Sequence, residues 1–256
     1  MSVAAELLPW FPPISLEALA ERSAFLQRID HKYIVPRAAL TELLARLAES
    51  HAVLEIDGLR RFTYRTVYFD SESLLTYRAH MQRRRRRFKC RTREYVETRQ
   101  RYLEVKLKGP RGQTVKERIE VSSPLTETVP ANDVRSFLRD CLTSHYGLDL
   151  EFDLLPALAM SYERTTVAAV DGSERVTIDS DLSYDGPNGV RARLAPGRVI
   201  VETKSASGRG VGNAYLRSLG IRSVGSCSKY CIGVALTRPH VRNNDALRLA
   251  RRHFAA

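Results

Sequence analysis

Between residues 84 and 121 the chain alternates polar and apolar positions with a period of two. In RRFKCRTREY, Arg87, Lys89, Arg91 and Arg93 share one parity, while Phe88, Cys90 and Thr92 share the other. A β-strand sends successive side chains to opposite faces, so the pattern predicts a strand with one cationic face. The alternation recurs in LEVKLK (Glu104, Lys106, Lys108), VKERIEV (Lys116, Arg118, Glu120), LQRIDHKYIV (Arg28, Asp30, Lys32) and MSYERT (Tyr162, Arg164). Strands are therefore expected at 26–35, 62–70, 84–97, 101–109, 113–121, 156–170, 174–184 and 198–205. SCSKYCIGVAL reads as a last strand. GPRGQ is expected to make the turn between the strands at 101–109 and 113–121.

The period changes to a helical one in RAALTELLARLAE, 37–49, and in 130–147, where Gly147 supplies the stop. Shorter helices are expected in SLEALAERS behind a Ser15 cap, in SESLLTYRAHM behind Ser71 or Ser73, in VGNAYLRSLG and in NDALRLARRHF. Residues 1–25 read as a lead-in, and 26–256 as one domain. Eight or nine strands in sequential order, joined by short turns with helices inserted, predict an antiparallel α+β architecture. Eight such strands suffice to close a barrel wide enough for a ligand.

Charge sharpens the picture. The chain carries 41 Lys and Arg against 29 Asp and Glu, a net charge of +12. Two like charges about 4 Å apart repel by roughly 1–4 kcal/mol. A fold that gathers so many on strand faces is expected to place a polyanion there. The four cysteines, Cys90, Cys141, Cys227 and Cys231, match no zinc spacing and read as reduced thiols. The sequence shows neither a signal peptide nor the roughly 20-residue apolar run of a membrane span. It reads as a soluble, cytoplasmic protein.

The local motifs leave alternatives open. Arg83–Arg87 is a basic arm, a point of access for a polyanion, or a solvated strand start. RVIVETKS carries Glu202 and Lys204 in a run otherwise apolar, and the acid is half of a structural ion pair or a ligand for a hard divalent cation. GRGVGNA fits no phosphate-loop pattern and reads as a turn into a helix. No Ser-His-Asp, HExxH or DxDxG arrangement supports nucleophilic or zinc chemistry.

Taken together, RIDHKYIVP, TVYFD, FKCRTREY, LEVKLKG, VKERIEV, ALAMSYERT, RVTIDSDL, VIVETKS and SCSKYCIG resemble the VTC domain, the polyphosphate polymerase branch of the triphosphate tunnel metalloenzymes. The resemblance spans residues 26–234. It implies an eight-stranded antiparallel tunnel with a basic lumen and flanking helices. It implies transfer of the ATP γ-phosphate to a growing polyphosphate chain, with Mn²⁺ or Mg²⁺ as cofactor. Carried over motif by motif, Lys32, Arg91, Arg93, Lys106 and Lys229 become catalytic cations. Lys89, Lys116, Tyr162, Arg164, Arg175 and Ser228 become substrate-binding groups, and Glu202 the metal ligand. The triphosphatase branch carries ExExK where this chain has Arg28, Asp30 and Lys32, which favours the polymerase branch. The phosphate-sensing domain and membrane helices of the eukaryotic polymerases have no counterpart in this sequence.

Two rival readings remain. One is a tunnel triphosphatase that hydrolyses inorganic triphosphate or nucleotides. The other is a non-catalytic module that binds polyphosphate or nucleic acid. Nucleic acid ranks last as a partner, because the basic strands interleave with Val, Leu and Cys rather than with stacking aromatics.

Overall fold

The structure is a computed structural model that describes residues 8–22, 29–109, 114–122, 131–225, 228–238, 240–241 and 244–255. Arg28, the residues 110–113 expected in a turn, and Cys227 lie outside the described residues. In chain order the elements are β1 (Pro13–Ile14), α1 (Leu16–Arg22), β2 (Ile29–Pro36), α2 (Arg37–Ala48), β3 (His51–Leu54) and β4 (Phe62–Asp70). Next come α3 (Leu75–Met81), β5 (Phe88–Tyr95), β6 (Gln100–Lys108), β7 (Thr114–Glu120), α4 (Ala131–Tyr146), β8 (Leu155–Ala169) and β9 (Glu174–Asp185). The last are β10 (Arg191–Leu194), β11 (Arg198–Ser205), α5 (Val211–Ser218), α6 (Lys229–Thr237), α7 (Asn244–His253) and β12 (Phe254–Ala255). The fold is α+β and mainly antiparallel, with β1 and β3 pairing in parallel. The strands absent from the sequence reading, β1, β3, β10 and β12, are two to four residues long, too short to display a period of two.

The chain divides into two compact units. The first comprises residues 1–62, 162–182 and 194–227; the second comprises 63–161, 183–193 and 228–256. In the first unit, β11 pairs antiparallel with β2 on one side and β9 on the other. One face of these strands presents Tyr33, Val35, Val176, Ile178, Val199 and Val201 to Leu40, Leu43, Leu44 and Leu47 of α2 and Leu216 of α5. Leu43, Leu44 and Leu47 are fully buried, so trimming one to Ala costs about 2–5 kcal/mol. The opposite parity of the same strands carries Lys32, Arg175, Thr177, Glu202 and Lys204.

The second unit repeats the device. Strands β4, β5, β6 and β7 pair antiparallel in sequence. Cys90, Leu103, Val105 and Leu107 pack against Val134, Leu138 and Leu142 of α4. The other parity is left to Tyr68, Arg91, Arg93, Glu104, Lys106 and Lys116.

Two expected elements differ. Residues 229–237 are a helix, not a strand. The segment is apolar all round, with Tyr230 through Ala235 buried, and such a short run has no period that separates strand from helix. The Ser228 hydroxyl caps it, accepting from the Cys231 amide at 3.3 Å. The strand expected from residue 84 begins only at Phe88. Arg83 takes a left-handed φ of 52°, and the Arg87 guanidinium donates to the carbonyl oxygens of Arg83 and Arg84, which holds the arginines in a turn.

Candidate functional site

In the first unit the pairing register places Glu202 directly opposite Lys32 on β2 and Thr177 on β9. The Lys32 ammonium donates to Glu202 Oε1 at 2.5 Å, and Lys204 Nζ lies 3.5 Å from Oε2. Of the two possibilities left open for Glu202, the ion pair is the one present: its carboxylate pairs with Lys32 and Lys204 on the polar face. Lys204 is 9% exposed. Burial pushes its ammonium down to about 7; Glu202 and Asp30 oppose the shift, and Arg164 and Arg175 add to it.

On β8, Arg164 donates to both carboxylate oxygens of Asp179 at 2.6 and 2.8 Å, and Asp179 is fully buried. This two-point pairing fixes the plane of the guanidinium. Its carbon lies 5.3 Å from the ring centre of Tyr162, also buried. Arg175 sits opposite Lys204 in the register.

The glycine-rich GRGVGNA does lead into a helix, α5. Its first amides are already occupied. The buried carboxylate of Glu174 accepts from Gly212 at 2.9 Å and Asn213 at 3.4 Å, with His51 Nε2 at 3.5 Å. A side chain at residue 210 would put its Cβ 2.1 Å from Glu174 Oε1, so the glycine there makes room for a carboxylate rather than a phosphate.

The second unit gathers its cations around Glu104, which is 1% exposed. Arg91, directly opposite on β5, donates to Glu104 Oε2 through Nε at 2.7 Å and approaches it through Nη2 at 2.6 Å. Arg93 Nη1 lies 3.7 Å from the same oxygen, and Lys116 of β7 pairs with Oε1. Burial alone would raise the Glu104 carboxyl, but Arg91, Arg93 and Lys116 outweigh it and hold the group down at about 2. Arg91 Nη1 also donates to the Tyr68 hydroxyl at 3.0 Å. Burial pushes the Tyr68 phenol up; Arg91, Lys89 and Arg93 more than reverse this, and the net shift is downward. Such a shift in a buried phenol reports a strongly positive local field.

Lys89 Nζ donates to Ser228 Oγ at 2.8 Å, which joins β5 to the first turn of α6, where Lys229 begins the helix. Lys106 is exposed and lies in register between Lys89 and Lys116. Tyr230 of α6 stacks on Tyr68 with ring centres 4.7 Å apart and donates to Asp70 at 2.5 Å. Asp70 also accepts from the amides of Ser71, Thr76 and Tyr77 and from the Thr76 hydroxyl, so it anchors the start of α3 to the end of β4.

Of the predicted site residues, Lys32, Tyr162, Arg164, Arg175 and Glu202 belong to the first unit. Lys89, Arg91, Arg93, Lys106, Lys116, Ser228 and Lys229 belong to the second. The sequence reading gave no role to the carboxylates that hold the cations, Glu104 and Asp179, or to Lys204. Strand parity carried the signal for all three: Glu104 shares a face with Lys106, Asp179 with Arg175, and Lys204 with Glu202.

Among the described residues no group of three or more His, Cys, Asp and Glu side chains is arranged to hold a metal, and no helix is long and apolar enough to cross a membrane. Several solved structures are similar to this chain. HpAC1 from Hippeastrum, studied as an adenylyl cyclase and described as having a dominant triphosphatase activity, is 17% identical. It covers 86% of this chain and 99% of its own, with a TM-score of 0.51. The PH1012 protein from Pyrococcus horikoshii OT3 is 13% identical over 77% of this chain and 92% of its own, with a TM-score of 0.43. Comparison with curated proteins gives no match. The family model of the VTC domain matches residues 27–238, from the segment before β2 to the end of α6, and so takes in both cationic clusters. The chain belongs to the VTC domain family.

Proposed function

We propose that the protein is a metal-dependent polyphosphate polymerase. The terminal oxygen of a polyphosphate chain attacks the γ-phosphorus of ATP, the bond to the β,γ-bridging oxygen breaks, and ADP leaves as the chain grows by one unit. The observation that carries this reading is the pair of cation clusters, each fixed by a buried carboxylate, inside a region that matches the VTC domain throughout. Phosphoryl transfer asks the protein mainly for positioning and for neutralisation of charge on the transferring group. Cations already held by Glu104 and Asp179 meet that demand without reorganising.

In this reading Lys32, Arg91, Arg93, Lys106 and Lys229 act on the transferring phosphoryl group and its neighbours. Lys89, Lys116, Tyr162, Arg164, Arg175 and Ser228 hold the phosphates. The eight-stranded tunnel with a basic lumen that the resemblance implies is part of the same proposal, as is a cytoplasmic setting. A divalent ion such as Mg²⁺ or Mn²⁺ commonly binds through one or two carboxylates plus the substrate's phosphate oxygens. Glu202 suits that mode: it is a hard oxygen donor balanced by two ammonium groups. When bound there, the ion would neutralise charge on the phosphates.

Incubation with ATP and Mn²⁺ tests the proposal. ADP and polyphosphate resolved on a gel are expected. Orthophosphate as the sole phosphate product would reject polymerisation in favour of hydrolysis.

A further inference from the structure

The turn between α3 and β5 is built to present arginines outward. Residues 83–86 are exposed and Arg87 is half-buried. The backbone is held from within: the Arg84 amide donates to Ala79 O at 2.9 Å and the Arg83 amide to His80 O at 3.1 Å. The Arg87 guanidinium folds back onto the Arg83 and Arg84 carbonyls. Tyr146 of α4 fixes the far side: its hydroxyl accepts from the Lys108 amide at 2.8 Å and lies 2.9 Å from Arg87 O and 2.8 Å from Lys108 O, to either of which its one proton can be donated. Among the described residues no carboxylate forms an ion pair with Arg83, Arg84 or Arg86. An exposed run of like charges is self-repelling, so holding it in one conformation is unfavourable unless something anionic offsets it.

The turn opens directly into the cationic face of its own unit. Two residues beyond Arg87 stands Lys89, in register with Lys106, which is in register with Lys116. The same cluster keeps His80, the last-turn histidine of α3, neutral. Burial, with Lys89, Arg87 and Lys106, pushes its imidazole down to about 3.

We infer that the 83–87 turn is a docking surface for a linear polyphosphate chain beyond the segment held on the strand face, so that the protein prefers long chains to short ones. This rests on the polyphosphate reading above. A linear polyanion suits the surface because its charge continues past the Lys89–Lys106–Lys116 ladder onto the turn. A compact ligand such as tripolyphosphate ends on the ladder.

The test is the combined variant Arg84→Gln, Arg85→Gln, Arg86→Gln. It leaves Arg83, with its left-handed backbone, and Arg87, which braces the turn, in place. Binding of tripolyphosphate and of a long-chain polyphosphate is measured at several salt concentrations for the wild type and the variant. Expected are unchanged tripolyphosphate affinity, long-chain affinity about tenfold weaker, and a slope of log affinity against log salt shallower by roughly 2. An unchanged long-chain affinity overturns the inference. So does an equal loss for both ligands, which would mean that the turn serves the strand-face site. If a single-stranded oligonucleotide or phosphatidylserine vesicles lose affinity in the variant while polyphosphate does not, the surface belongs to that other polyanion and the inference falls. If the wild type binds neither phosphate ligand, the polyphosphate reading itself fails, an outcome distinct from failure of the turn alone.

Discussion

Arg91 and Glu104 face each other in register on β5 and β6, and the guanidinium reaches one carboxylate oxygen through Nε at 2.7 Å and Nη2 at 2.6 Å. Because Glu104 is 1% exposed, its charge is sustained by Arg91, Arg93 and Lys116 rather than by water. The pairing is mutual: the carboxylate keeps three cations at fixed spacing, and the cations keep the carboxylate ionised.

Replacing Glu104 by Gln is therefore expected to lower stability by about 3 kcal/mol at neutral pH. The pH dependence has a definite sign. The folded-state carboxyl lies at about 2, below its ordinary value of 4.5. Its contribution is fully present above 4.5 and is lost as pH falls through about 2. Thermal melts of the wild type and the variant should thus differ most at neutral pH and converge toward pH 2. A gap independent of pH would show that the variant loses packing instead.

For Glu202→Gln, turnover is expected to vanish while tripolyphosphate still binds. The substitution removes the carboxylate proposed for the metal but leaves Lys32 and Lys204 in place. ADP release and phosphate binding are measured side by side. Undiminished turnover at saturating Mn²⁺ would put the metal elsewhere.

Lys204→Met should stabilise the protein. Its ammonium lies at about 7 in the fold against an ordinary 10.5, so between those values the unfolded chain binds more protons than the folded one. The penalty is complete below 7 and fades as pH rises to 10.5. The variant's gain, largest at pH 6, should shrink steadily in alkaline buffer. Chemical denaturation at pH 6 and pH 10 checks this; an equal gain at both would contradict the assignment of the shift to Lys204.

Arg93→Ala is expected to reduce the polymerisation rate by roughly 100- to 1000-fold. It should also lower the melting temperature, because the 7%-exposed Arg93 packs its guanidinium 5.3 Å from the centre of the Tyr64 ring. Full activity with an intact fold would remove Arg93 from the phosphate-handling groups.

The alternation of strand residues made much of this legible. The bounds of β11 agree with the expected 198–205, β2, β8 and β9 fall within a few residues of expectation, and α2 and α4 follow from a helical period. The faces also follow, because parity alone puts Arg91 and Arg93 opposite Cys90 and Thr92. What parity does not reveal is who stands beside whom. Glu104 meets Arg91 and Lys116 only through the register of three strands, and Lys204 owes its lowered proton affinity to burial among groups on β2, β8 and β9. The helix at 229–237 stayed hidden because a short run buried on all sides has no period to read.

Each of these strands stores two messages interleaved letter by letter, one addressed to the core and one to the polar face. Deleting a single residue inside β5 would exchange the recipients. Arg91 and Arg93 would turn toward Leu103, Val105 and α4, and Cys90 and Thr92 would take their places beside Glu104. No intermediate spelling satisfies both readers. Length within these strands is therefore as tightly constrained as any side chain they carry, and changes of length belong to the turns between them.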